Sequence, residues 1–238
     1  MSDTETDLIR IEDLRFGWPR EDIFLQIDRF RMQRNEKVFL EGPSGSGKST
    51  LLGLIAGVLS PRSGTLTVAG HDMSRISAGR KDALRSNRMG VIFQLFNLLP
   101  YLSLIDNVLL PCRFSSLRKK RVLASGASLE DEARRLLASL GLEGRELLKK
   151  KVANLSVGQQ QRVAAARALI GSPDLIIADE PTSALDTDSR DAFLRLLMDE
   201  ADRANAGLLF VSHDRQLGTL FERRVSLADL NVCAKETV

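Results

Sequence analysis

The chain has 238 residues, 43% of them apolar and 27% charged, a balance that excludes collagen-like, mucin-like and largely disordered proteins and fits one large domain. Thirty-four basic against 31 acidic residues leave a net charge of +3, too weak by itself to argue for a nucleic-acid partner. Two cysteines far apart, Cys112 and Cys233, exclude a disulfide scaffold and point to a reducing compartment.

The first residues, Met1 to Asp7, are acidic with no apolar core, so no signal peptide is expected. Lys37 to Glu41 reads as a buried strand, and Gly47 to Leu59 as a largely buried helix stopped at Ser60-Pro61. Thr65 to Ala69 alternates as a half-exposed strand does, and Arg88 to Phe93 is a further strand candidate. The apolar stretch from Val91 to Cys112 is interrupted by Gln94, Asn97, Pro100, Asp106 and Asn107, so it predicts no transmembrane helix and the chain reads as soluble.

From Leu95 to Asn154 the pattern turns helical. Ser103-x-x-Asp106 and Ser128-x-x-Asp131 resemble capping boxes, and the second opens a helix that Gly141 ends. Arg118 to Arg121 and Lys149 to Lys151 read as solvated charged faces, with contact to anionic lipid headgroups as the alternative. The sheet pattern then resumes: a helix over Ser156 to Ile170, a strand over Asp174 to Asp179, a helix over Ser189 to Ala206 with Gly207 as C-cap, and a strand over Leu208 to Ser212. Alternating strands and helices predict an α/β core with a mostly parallel sheet, interrupted by a helical insert at 95–154 within a single domain spanning 1–238.

Chemistry concentrates in three places. Gly42-Pro-Ser44-Gly45-Ser46-Gly47-Lys48-Ser49-Thr50 matches the phosphate-loop pattern between a predicted strand and helix. Its glycines let backbone N–H groups turn toward an anion, the helix adds its positive end, Lys48 would reach the β- and γ-phosphates, and Ser49 would ligate magnesium. Asp179 and Glu180 end an apolar strand: Asp179 can hold the magnesium shell and Glu180 can polarise a water for in-line attack on the γ-phosphate. Leu155-Ser156-Val157-Gly158-Gln159 opens a helix with another capping box, a second anion site in a chain that already has a phosphate loop. That duplication makes sense if the second site serves a nucleotide on another copy.

With these motifs in this order, the sequence resembles the ATP-binding subunits of ATP-binding-cassette (ABC) transporters from roughly Ile9 to Leu230. The resemblance implies a P-loop NTPase fold with a small antiparallel β subdomain and an inserted helical subdomain. It makes Leu155 to Gln159 similar to the signature motif, with Val157 where glycine is usual, so that Ser156, Gly158 and Gln159 would contact the opposite subunit's nucleotide. Gln94 resembles the Q-loop glutamine at the magnesium ion. Ser183-Ala184-Leu185-Asp186 resembles the D-loop, with Asp186 reaching across a dimer interface. His213 resembles the switch histidine, and Trp18, with Phe16 as rival, the aromatic that stacks on adenine.

Gln94 to Pro111 and Gln159 to Arg162 resemble the lipoprotein-releasing and macrolide-exporter branch, although Ser183 and Leu227-Ala-Asp-Leu230 lack glycines common there. The resemblance therefore implies an ATPase using ATP and Mg2+, an ATP-dependent homodimer, and integral-membrane permease partners docking near Leu95–Pro111. It also implies a place on the cytoplasmic face of the inner or plasma membrane and no nucleic-acid partner. The alternative is a soluble ABC-type ATPase acting on nucleic acid or ribosomes. Against it stand the single cassette and the absence of heptads between phosphate loop and signature.

Overall fold

The computed structural model describes residues 7–20, 22–183 and 185–234; the acidic stretch up to Thr6, and Ala184 of the D-loop-like segment, lie outside the described residues. In chain order the elements are β1 (Asp7–Phe16), β2 (Leu25–Gln33), β3 (Lys37–Glu41), α1 (Lys48–Ile55), β4 (Ser63–Val68), β5 (His71–Asp72), α2 (Ala78–Arg88) and β6 (Met89–Ile92). There follow α3 (Leu104–Phe114), α4 (Ser116–Ala124), α5 (Leu129–Ser139), α6 (Arg145–Lys149), α7 (Val157–Leu169), β7 (Leu175–Asp179), α8 (Thr187–Arg203), β8 (Gly207–Ser212), β9 (Arg223–Ser226) and α9 (Leu227–Leu230). Two compact units divide the chain: residues up to Arg85 with those from Leu209 onward, and Ser86–Leu208.

In the first unit an antiparallel sheet has the order β2-β1-β4-β5. Its register sets Ile9 against Met32 and Val68, and Ile11 against Phe30 and Leu66. All six side chains are buried, which uses the two-residue period of a strand to bury one face. The polar face carries cross-strand charge, with Glu12 accepting from both Arg10 and Arg31. Beside this sheet in the same unit, β3 pairs in parallel with β9, Val38 against Arg223 through Glu41 against Ser226. Phe39 stacks on Phe210 with ring centroids 6.1 Å apart, and Phe221 closes the cluster at 5.4 Å from each.

In the second unit β6 and β7 run parallel, Met89 against Leu175 through Ile92 against Ala178. Within the parallel sheet β6 lies beside β7 in the second unit, and the order in the first is β8-β3-β9. Four buried apolar residues, Leu175 to Ala178, make β7 the apolar run that a strand covered on both faces needs. Helix α7 is buried on several sides by small residues, Ala164, Ala165, Ala166 and Ala168, which permits close approach to β6. A Cβ on Gly90 would lie 2.2 Å from the Ala168 carbonyl oxygen, so only glycine allows strand and helix backbones to meet here. The stretch from Leu95 to Asn154 holds α3 to α6, Ser103 and Ser128 capping α3 and α5 by accepting the Asp106 and Asp131 amides at 3.1 Å.

Three expectations are corrected. The helix expected to run to Leu59 stops at Ile55, because Gly57 takes a left-handed φ of 69° and turns the chain four residues before the proline. The helix expected over Ser189–Ala206 starts at Thr187, with Asp186 as N-cap, and ends at Arg203; Asn205 supplies the positive φ, and Gly207 opens β8 instead of capping the helix. The run Arg118 to Arg121 is not a uniformly solvated face. Arg118 is 1% exposed and donates to the Ala168 and Ile170 carbonyls at 3.2 and 3.0 Å and to that of Met89. Burial pushes its guanidinium down to about 10, so it remains charged at neutral pH.

Candidate nucleotide-binding site

In the first unit β3 delivers the chain to Gly42 and α1 departs at Lys48. Between them Gly45 and Gly47 have φ of 79° and 97°, a region where side chains are strained. Gly47 is also the N-cap of α1 and provides no side-chain cap, and the first turn holds no acidic residue. The amide groups at this end therefore keep their positive field for an anion. Lys48, only 7% exposed, donates to the Gly42 and Pro43 carbonyls at 2.6 and 2.8 Å. Its ammonium thus braces the loop from inside. The Ser46 hydroxyl oxygen is buried with no hydrogen-bond partner among the described residues, an orphan that a phosphate oxygen would satisfy. Ser44 and Ser49 are exposed and Thr50 is half-buried.

Trp18 follows β1 in a turn, 42% exposed, its ring edge-on to Phe16 at 5.2 Å and 81°. Phe16 is 5% exposed, so the core takes it and Trp18 keeps the face available for a base. Arg62 holds this turn by donating to the Gly17 carbonyl at 3.1 Å and to that of Trp18. His213 follows β8 and is exposed, in a turn where the Ser212 hydroxyl accepts the Asp214 amide at 3.1 Å and the Asp214 carboxylate accepts the Gln216 amide at 3.0 Å.

In the second unit Gln94 lies two residues beyond Ile92, and Asp179 one residue beyond Ala178, its register partner. Both therefore leave the carboxyl ends of adjacent parallel strands, where ligands bind in open α/β sheets. Glu180 has a φ of 45°, an uncommon conformation for a non-glycine residue and one that clusters at functional sites.

Ser156 caps α7 with a complete capping box: its hydroxyl oxygen accepts the Gln159 amide at 3.2 Å, and the Gln159 side chain accepts the Ser156 amide at 3.1 Å. The serine O–H remains a donor. Gly158 lies beside Leu185, 3.4 Å from where a Cβ would sit. Asp186 caps α8 by accepting the Ser189 amide at 2.9 Å, and that backbone hydrogen bond, with one from the Ser189 side chain, holds its carboxyl below the usual range. The second unit thus brings the Ser156 end of α7 together with the approach to α8.

The ABC transporter family profile matches residues 25–183. The lipoprotein-releasing system ATP-binding protein LolD of Shewanella denitrificans is 37% identical over 206 residues, covering 87% of this chain and 84% of that protein. The chain belongs to the ABC transporter family. Within it, the macrolide export ATP-binding/permease protein MacB of Shigella flexneri is 36% identical over 227 residues, covering 94% of this chain; the chain spans only 34% of MacB. A dimeric structure of the ATP-binding cassette MJ0796 in a post-hydrolysis state, bound to ADP and Pi, superposes with a TM-score of 0.78 at 30% identity, covering 92% of this chain and 93% of that one. This ABC chain is accordingly an ATP-binding subunit and an ATPase of the lipoprotein-releasing and macrolide-exporter branch.

Several residues of this ABC subunit escape sequence reasoning. Phe24, at the edge of β2, lies 3.1 Å from where a Cβ on Gly47 would sit. Asn107, fully buried in α3, accepts the Leu99 amide at 2.8 Å and donates to the Leu99 and Ser103 carbonyls at 3.0 and 3.1 Å. Arg167, near the end of α7, donates to the Phe96 and Asn97 carbonyls, both at 2.6 Å. Only a buried asparagine in an otherwise apolar helix face could have flagged Asn107, and no local signal marks Arg167. Among the described residues no helix is long and apolar enough to cross a membrane.

Proposed function

We propose that two copies of this chain clamp two ATP molecules and thereby drive integral-membrane permease partners, working at the cytoplasmic face of the membrane in export or mechanotransmission. The observation that carries this reading is the capped but still donating Ser156 end of α7 in a chain whose phosphate loop already provides one anion cradle. Each nucleotide would be held by Gly42, Ser44 to Thr50 and Trp18 of one copy and by Ser156, Gly158, Gln159 and Asp186 of the other. Glu180 would polarise the attacking water, and Lys48 and His213 would stabilise charge on the γ-phosphate.

Magnesium, when bound, supplies neutralisation of the phosphate charge. The Ser49 hydroxyl, the Asp179 carboxylate and the Gln94 amide would hold it. They are hard oxygen donors with a single carboxylate, which suits an ion that keeps several waters and shares phosphate oxygens.

The helical stretch 95–154 would act as the inserted subdomain, and its docking surface would lie near Leu95–Pro111. Leu95 and Tyr101 support this, being 83% and 67% exposed on a loop whose backbone is pinned from both sides. Large exposed apolar groups of this kind mark interaction surfaces.

Glu180→Gln tests the reading. The variant is expected to bind ATP, to hydrolyse it at least about 100-fold more slowly, and to accumulate as an ATP-dependent dimer in light scattering. A monomeric variant with undiminished turnover would sink the clamp.

A further inference from the structure

The loop after β6 carries a run of left-handed backbone. Phe96 and Asn97 are consecutive non-glycine residues with φ of 59° and 50°. Each such conformation costs on the order of 1 kcal/mol or more and persists only where its surroundings over-determine it. Here the surroundings are few and specific. The Phe96 ring is buried, and the Phe96 and Asn97 amides close tight turns onto the Phe93 and Leu95 carbonyls at 2.9 and 2.6 Å. Asn107 grips Leu99 from α3. The two carbonyls that the left-handed turn directs away from any regular ladder both accept from Arg167. A guanidinium suits this task because its planar fork reaches two adjacent oxygens at once and it is weakly hydrated when half-buried. Burial holds the Arg167 guanidinium below its ordinary range, with no carboxylate contributing. Among the described residues its hydrogen-bond acceptors are the two backbone carbonyls.

We infer that Arg167 is a positioning residue that registers the loop carrying Gln94, Leu95 and Tyr101 against α7, the helix whose other end carries Ser156. Helix α7 has 13 residues and so spans about 20 Å as a stiff rod. It also meets β6 backbone to backbone at Gly90, so the strand feeding the loop and the helix bracing it move as one piece. A displacement imposed on the exposed Leu95 and Tyr101 surface is delivered through Arg167 to the tail of α7 and thence to its Ser156 tip. The inference rests on the proposed roles of Gln94 and Ser156 and adds the member that joins them.

The test uses the full chain with Arg167→Met, which keeps an apolar stem and removes every donor, and Arg167→Lys, which restores charge and donors without the fork. Hydrogen exchange of the Leu95–Leu99 amides is expected to quicken at least about tenfold in Arg167→Met and to recover partly in Arg167→Lys. In the Glu180→Gln background, ATP affinity, read from the fluorescence of the single tryptophan, stays within about threefold, while the concentration for half-maximal ATP-driven dimerisation rises about tenfold. A merely structural role would not separate those two quantities.

Unchanged loop exchange in Arg167→Met overturns the inference. So does faster exchange with dimerisation at the parental level. If Arg167→Met does not fold, Arg167→Gln replaces it, since its shorter neutral amide cannot fork across the Phe96 and Asn97 carbonyls. It should quicken loop exchange and weaken dimerisation in the same direction, and faster exchange without weaker dimerisation overturns the inference equally. Failure of the parental Glu180→Gln chain to dimerise with ATP overturns the proposed function instead, and the exchange measurement then decides the Arg167 tether on its own.

Discussion

Two helix beginnings in this molecule solve the same electrostatic problem in opposite ways. At α1 the N-cap is Gly47, which offers no side chain, and the surrounding glycines leave the amides open; the lysine that follows is folded back onto two loop carbonyls. At α7 the N-cap is Ser156, and both halves of its capping box are made. The first end has no side-chain cap, so a bound anion would complete it. The second satisfies itself, and only the outward hydroxyl proton and the neighbouring Gly158 remain to offer. In the proposed clamp, an uncapped loop suits a triphosphate held by its own chain until hydrolysis, whereas a self-capped tip suits a contact made and released in each cycle.

That contrast breaks most visibly at Lys48. Removing the ammonium with Lys48→Ala should cost at least about 100-fold in ATP affinity by calorimetry, since its charge is the only one buried within the loop. Ordinary affinity in this variant would show that the cradle holds its ligand by backbone alone. At the other helix, Ser156→Arg should reduce hydrolysis by about 100-fold while ATP affinity stays within about threefold, because in the proposed clamp a bulky side chain there would obstruct a neighbour's ligand and not its own. Parallel loss of both would make the two helix ends parts of a single-chain site.

The smallest effect concerns what α7 carries inside. Gln161 is fully buried, and neither its amide nitrogen nor its oxygen has a partner among the described residues. Gln161→Met conserves volume and removes the unpaired groups, so the melting temperature should rise by about 2–4 °C for each kcal/mol regained. A fall in melting temperature would mean that Gln161 has a partner in solution.

Much of this was legible in the residues. Apolar runs and capping serines marked β3, β7, β8 and the starts of α3, α5 and α7, because those signals are local and contiguous. The antiparallel strands β1 and β2 were hidden: Asp7, Arg10, Glu12 and Asp13 in one, and Asp28, Arg29 and Arg31 in the other, crowd the alternation with charges that only cross-strand pairing explains. Helix ends slipped where a residue other than the obvious glycine or proline turned the chain, Asn205 being the clearest case. For the site, Lys48, Asp179 and Ser156 stand in motifs of fixed spacing. Arg118 and Arg167 do not, since each is defined by carbonyls contributed from elsewhere in the chain, and Asn107 by the backbone of the loop just before its helix; a backbone group has no sequence.

Arg118 has one more consequence, for the placement of α4. Its guanidinium bridges Met89, made some thirty residues earlier, to Ile170, which lies 52 residues downstream. Burying this cation without those carbonyls would be costly, so the native placement of α4 depends on the tail of α7 being in position.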